Sequence, residues 1–191
     1  MKTLNEMFED IISLNEGGSS VALKFSDPDG VRSGKSGWSF GLSQFDTRNN
    51  PIALDCLREC GFTQDEINGV VDQTIDVKPL SAKLAAHADI ISKYDMVQLQ
   101  HCLNSAGNFT VDYAIPLDGT DAVLMIADTV NQYGSLGSGS AAHLTALNRP
   151  VTAQDVLDMK LTWKYATHVP GGKDDTIRRF NNVMKVVADN V

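Results

Sequence analysis

The sequence predicts an α+β fold, mostly helical with one small antiparallel sheet near its N-terminus, and three observations carry that prediction. Residues 3–15, TLNEMFEDIISLN, repeat apolar side chains at helical spacing with acids between them. Residues 36–46, SGWSFGLSQFD, read as two short extended pieces in a setting of permissive glycines. From Pro51 onward helical periodicity, with start and stop signals, fills most of the chain. With 191 residues and 42% hydrophobic content, the chain can bury one sizeable core, and a single domain is expected.

Taken in order, the first helix carries Leu4, Met7, Phe8, Ile11, Ile12 and Leu14 and is stopped by Gly17-Gly18. VALKF at 21–25 reads as a strand, and SDPDGVRSGKSG after it as a polar loop with turn chemistry at Pro28-Asp29-Gly30. The hairpin pieces are Trp38–Gly41 and Gln44–Asp46, joined at Leu42-Ser43. PIALDCLREC places proline in a first turn and Gly61 just past the end of a helix. Thr63 to Glu66 forms a capping box, in which hydroxyl and carboxylate each take up a free backbone N–H. Residues 81–104 are expected to form one long helix with Leu84, Ala88, Ile91, Met96, Leu99 and Leu103 on a common face. DAVLMIADTVNQYG reads as a buried helix ending in the Gly-Ser loop 134–140; AAHLTALN follows, and then a helical run QDVLDMKLTWKYATH at 154–168, capped by Thr152 with Asp155. After the Pro-Gly-Gly break at 170–172 comes a last helix near 174–188.

Sixteen basic against twenty-four acidic residues give a net charge of −8. No basic face is visible, so nucleic-acid binding is disfavoured. Glu6, Glu9 and Asp10 interrupt the opening where a secretory signal would be apolar, and no run of about 18 apolar residues exists to insert in a membrane. Synthesis in a reducing cytoplasm is expected. The cysteines Cys56, Cys60 and Cys102 are odd in number, and no partner pair completes a metal site around the first two. Neither metal nor cofactor is expected. His87, His101, His143 and His168 read as scattered over different helices.

Glu16, last before the glycines, stands out chemically. A carboxyl group at the negative end of a helix, once removed from water, tends to hold its proton, and a protonated acid is what departure of a glycosidic oxygen requires. Ser39 and Asp46, on neighbouring strands, supply a hydroxyl and a carboxylate of the kind that hold a water for attack on a sugar. Asp27 and Asp29 compete for that second carboxylate role, and Asp46 is preferred. Trp38 can stack on a sugar face, and Gln44, on the same hairpin, is a second candidate for binding substrate. Each has a plainer reading: Glu16 as a solvated helix end, Trp38 as core, Asp46 as an Asx turn leading to Asn49, and Asp27 and Asp29 as turn residues.

The order of these parts resembles the phage-type lysozymes and the related pesticin-like bacteriocins. ISLNEGG resembles the helix end that carries the family's glutamate, and GWSFGLSQFD its sheet hydroxyl and aspartate. LMIADTVNQYG resembles the cleft helix, and LTWKYATHVPGGKDDTIRRFNNVMKVV the closing helix, turn and helix. The resemblance implies a lysozyme-like fold, with a small sheet-containing lobe at about 17–80 and a helical lobe formed by 1–16 and 81–191. It implies Glu16 as general acid, Ser39 in the place of the family's threonine, Asp46 as the water-holding carboxylate, and Asn131 and Gln132 as sugar-binding positions.

The expected activity is therefore that of a muramidase, which hydrolyses the β-1,4 bond between N-acetylmuramic acid and N-acetylglucosamine. The expected partners are peptidoglycan glycan strands, with an immunity protein or a delivery apparatus for an exported effector. Release through a holin would instead make it a phage endolysin. The alternatives are a lysozyme-fold binding or structural protein without catalysis and a lytic transglycosylase. The acidic surface departs from the basic character of many wall-degrading enzymes and implies salt-dependent encounter with an anionic wall.

Overall fold

The computed structural model describes residues 1–27 and 35–190. It is mostly helical, with one two-stranded antiparallel sheet among the described residues. The chain divides into two compact units, Glu16–Gln98 on the one hand and Met1–Asn15 with Leu99–Val191 on the other. One boundary falls at the last residue of helix α1 (Leu4–Glu16), the other inside helix α6 (Ala88–Asp112). No helix among the described residues is long and apolar enough to cross a membrane.

The unit Glu16–Gln98 begins with two glycines at positive φ, 95° at Gly17 and 65° at Gly18. Only residues tolerant of left-handed backbone can end α1 there and restart the short helix α2 (Ser19–Ala22). The strand expected at 21–25 is absent. Val21 and Ala22 are helical, Ala22 and Phe25 are buried three residues apart, and Ser26 pairs with Ser39 through an isolated bridge. The Ser20 hydroxyl donates to Gly17 O at 2.8 Å and favours the helical turn over an extended path.

The hairpin forms where expected, as strands β1 (Ser39–Phe40) and β2 (Phe45–Asp46), with Ser39 opposite Asp46 and Phe40 opposite Phe45. Because strand side chains alternate, the phenylalanines share one face and Ser39 and Asp46 the other. Phe40 and Phe45 meet edge to face at 5.4 Å and join Phe25 and Phe62 in an aromatic core. That core is covered by α3 (Pro51–Glu59), α4 (Gln64–Val71) and α5 (Lys78–Ala85). Asn50 caps α3 ahead of Pro51, and the Thr63/Glu66 capping box opens α4.

The long helix expected over 81–104 is two helices. The chain turns at Ala86-His87, where the His87 ring lies 2.9 Å from Lys83 O and takes up a last-turn carbonyl of α5. His87 thus lies in a turn rather than in a helix. Along α6 the inward positions are Ile91, Asp95, Leu99, Cys102, Leu103, Ala106 and Phe109, while Ala88 and Met96, expected on the buried face, are exposed.

In the other unit, α1 buries Phe8, Ile11, Ile12 and Asn15, whereas Leu4 and Leu14 face solvent. Helix α7 (Thr120–Tyr133) is buried without interruption from Leu124 to Val130. It packs on α9 (Ala153–Leu161) and α11 (Gly172–Ala188); α8 (Ser138–Thr145) lies against α9, and α10 (Lys164–His168) against α11. Thr152 and Asp155 form the expected capping box. The helical run expected at 154–168 is interrupted at Thr162-Trp163, where the Thr162 hydroxyl donates to Met159 O at 2.7 Å and closes α9.

Candidate functional site

Within the unit Glu16–Gln98 the chain places Glu16 at a helix end, half-buried, and Ser39 and Asp46 directly across the hairpin from one another. Ser39 is buried. Its backbone exchanges two hydrogen bonds of 2.8 Å with Ser26, so Ser26, Ser39 and Asp46 form a row of three on neighbouring extended segments. Asp27 follows Ser26, and its Oδ1 accepts from Gln73 Nε2 at 3.3 Å. Asp29 lies outside the described residues.

The Asp46 carboxylate is held in place by its own loop. Oδ1 accepts from the backbone N–H of Gly37 and of Arg48, both at 2.9 Å, and Oδ2 from Asn49 Nδ2 at 2.6 Å. The Arg48 bond is the Asx turn that the residue order allowed. Gly37 sits so close to Thr47 that a β-carbon there would collide with the Thr47 hydroxyl. The carboxylate and the close backbone approach together fix the geometry of 37–49.

Trp38 and Gln44 flank this pair. Trp38 packs its ring against the aromatic core, and its Nε1 is buried without a hydrogen-bond partner among the described residues. Gln44, at φ 53°, closes the hairpin turn with its own side chain: Nε2 donates to Gly41 O at 2.9 Å and Oε1 accepts from the Ser26 hydroxyl. Both polar ends of the Gln44 amide, expected to bind substrate, are therefore used inside the turn.

Asp95 was not singled out from the sequence, yet it organises the same turn. From its buried place on α6 it accepts from Leu42 N at 2.9 Å, Ser43 N at 3.1 Å and Ser43 Oγ at 2.9 Å. Gly41, at φ +79°, leaves room for it, since a β-carbon there would stand 2.9 Å from Asp95 Oδ1 and 2.6 Å from the Phe45 ring. The available signal was spacing: Asp95 is four residues from both Ile91 and Leu99 on the apolar stripe.

Asn131 and Gln132 belong to the other unit, near the end of α7. Asn131 Oδ1 lies 3.8 Å from Cys102 Sγ, and Gln132 Oε1 is buried with no hydrogen-bond partner among the described residues. A surface hollow of ≈ 280 Å³ opens near the ends of α6 and α7, lined by Ser105, Asn108, Asp112, Tyr113 and Val130 among others, but not by those two amides.

That unit also holds a fully buried charge cluster that the sequence reading passed over. Arg179 grips Asp128 through Nε–Oδ2 at 3.0 Å and Nη2–Oδ1 at 2.6 Å, and Asn15 Nδ2 donates to Oδ1 at 2.8 Å. Lys160 Nζ stands 3.6 Å from Asp128 Oδ2, an electrostatic approach rather than a hydrogen bond. Burial pushes the Asp128 carboxyl up, but the Arg179 and Lys160 charges and the hydrogen bonds outweigh it and hold it below the usual carboxylate range. Burial drives the Lys160 ammonium down, Asp128 opposes that shift and Arg179 reinforces it.

No family model matches this chain, and neither a curated protein nor a solved structure matches it.

Proposed function

We propose that this protein is a lysozyme-like peptidoglycan hydrolase of the muramidase type. Glu16 protonates the leaving glycosidic oxygen, while Ser39 and a carboxylate of the hairpin region hold the attacking water. The observation that carries the reading is the register: Ser39 and Asp46 face each other on the polar side of a hairpin, in the unit that begins with Glu16. In one displacement Glu16 gives its proton to the leaving oxygen as the glycosidic bond breaks, water bonds to the anomeric carbon, and the carboxylate takes the proton that the water loses, so no group beyond these side chains is needed. The substrate is the anionic glycan of the cell wall, reached after holin release or export. With a charge of −8, encounter is faster at moderate than at low salt.

A second assignment within this reading has its own support. Three donors already satisfy Asp46, as befits a strut, and Asp27 adjoins the other end of the Ser26–Ser39–Asp46 row. In that version Asp27 holds the water and Asp46 holds the loop.

Release of reducing ends from purified peptidoglycan by the wild type, Glu16→Gln, Asp27→Asn and Asp46→Asn tests both. Glu16→Gln lowers the rate by about 100-fold or more, the scale of a general acid. Loss with Asp27→Asn at unchanged stability assigns the water to Asp27, and the converse assigns it to Asp46. Anhydro products in place of reducing ends would make the enzyme a transglycosylase. No release by the folded wild type at any salt would leave a non-catalytic wall-binding scaffold.

A further inference from the structure

Asn15, the residue before Glu16, has both ends of its side chain and its carbonyl engaged. Its Nδ2 donates to Asp128 at 2.8 Å, its Oδ1 accepts from Asn182 Nδ2 at 2.8 Å, and its backbone oxygen accepts from Arg178 Nη2 at 3.1 Å. Arg178 also donates through Nη1 to Leu14 O at 3.2 Å. A guanidinium thus takes up two of the carbonyls that a helix C-terminus leaves without intrahelical donors. It is itself aimed by Asp175, which accepts from Arg178 Nη2 at 2.6 Å and from the Tyr165 hydroxyl at 3.1 Å.

A surface residue near a helix end needs none of this. Burying an amide at 7% exposure, on the stripe otherwise formed by Phe8, Ile11 and Ile12, is unfavourable unless every polar atom is satisfied. Asp128, which satisfies it, is in turn a buried carboxylate that requires Arg179. The consequence is that the direction in which α1 ends is fixed by side chains of α7 and α11 rather than by solvent. The Gly17-Gly18 pair then releases the chain immediately after Glu16, so the fixed helix end is the backbone that carries the acid.

We infer that Asn15, Arg178 and Asp128 are positioning residues for Glu16: they hold the last turn of α1 so that the acid keeps one geometry through turnover. This deepens the hydrolase reading and rests on it for the role of Glu16. Misplacement of a reacting group by about 1 Å costs about 100-fold, so a loosened helix end is expected to appear in kcat rather than in KM.

The test compares wild type, Arg178→Met, Arg178→Lys and Asn15→Leu on soluble glycan fragments. Thr152→Ala, which removes a helix cap away from α1, serves as a control for stability loss alone. Arg178 is partly exposed, so its variants are expected to fold. The expected result is a fall in kcat of about 100-fold in Arg178→Met and Asn15→Leu with KM within about twofold, partial recovery in Arg178→Lys, and unchanged kcat in Thr152→Ala. Unchanged kcat in folded Arg178→Met and Asn15→Leu overturns the inference. If the wild type cleaves nothing, the acid assignment fails, and amide exchange decides the positioning separately. Exchange at Glu16 and Gly17 about tenfold faster in Arg178→Met supports a held helix end, and equal exchange overturns it.

Discussion

The two units use hydrogen-bonded carboxylates for different ends. In Glu16–Gln98, Asp46 and Asp95 are fed chiefly by backbone N–H groups of loops: Gly37 and Arg48 for the first, Leu42 and Ser43 for the second. In the other unit Asp128 is fed by side chains from α1 and α11, with Lys160 of α9 close by. A carboxylate bound by backbone gives a loop one shape, whereas a carboxylate bound by cations and amides ties helices together. The first kind suits a region that presents groups to a ligand, the second a region that holds a helix end still.

The largest effect expected from this contrast is at Asp128. Asp128→Asn leaves Arg179 and Lys160 buried without a counter-charge and lowers stability by about 3–5 kcal/mol, read by denaturant unfolding. Next comes a change of opposite sign. Lys160→Met removes the cation that lacks a hydrogen bond while Arg179 still pairs Asp128, and it raises stability by about 1–4 kcal/mol at neutral pH. Because the folded-state pKa of Lys160 is lowered, folding expels its proton between that value and the unfolded value near 10.5. The gain from Lys160→Met therefore shrinks as pH rises toward 10.5; a gain constant up to that pH would mean that burial does not disfavour the charge.

Asp95→Ala sharpens the comparison from the other side. Leu42 and Ser43 lose an acceptor, at a cost of about 1–3 kcal/mol, and amide exchange accelerates at 41–44 while α7 and α11 keep their protection. Equal acceleration in both regions would erase the distinction. The smallest effect concerns acid. Asp128 is depressed, so its contribution is complete above the usual carboxylate value near 3.8 and is lost as pH falls through the depressed one. Asp155, held low first by hydrogen bonds from Arg149, behaves alike. The melting temperature is thus expected to be flat from about pH 6 to 5 and to fall below about pH 4.

How much of this was legible in the sequence follows from which interactions are local. The hairpin, the Thr63 and Thr152 capping boxes, the proline start of α3 and the buried α7 all rest on residues within about seven positions of each other, and they read directly. VALKF misled because five residues cannot separate a period of two from one of three, and the glycines before it restart a helix. The run 81–104 misled because Ala88 and Met96 suit an apolar stripe as well as their buried neighbours do. Asp95 and Asn15 sit on apolar stripes, where a polar residue looks like an interruption until its partners, tens of residues away in sequence, are known. For the candidate site, the pairing of Ser39 with Asp46 was legible from turn spacing. The saturation of Asp46 and Gln44 by their own loop was not, because it depends on where backbone N–H groups point.

The three cysteines are buried thiols, two in the unit Glu16–Gln98 and one in the other. Burial raises the Cys56 thiol well above its ordinary value and also lifts that of Cys60, so neither is nucleophilic while the protein is closed. An alkylating reagent added to the native protein would therefore work as a pair of clocks, with Cys56 and Cys60 timing the opening of one unit and Cys102 that of the other. The order in which mass is gained would show which half yields first, without a single engineered label.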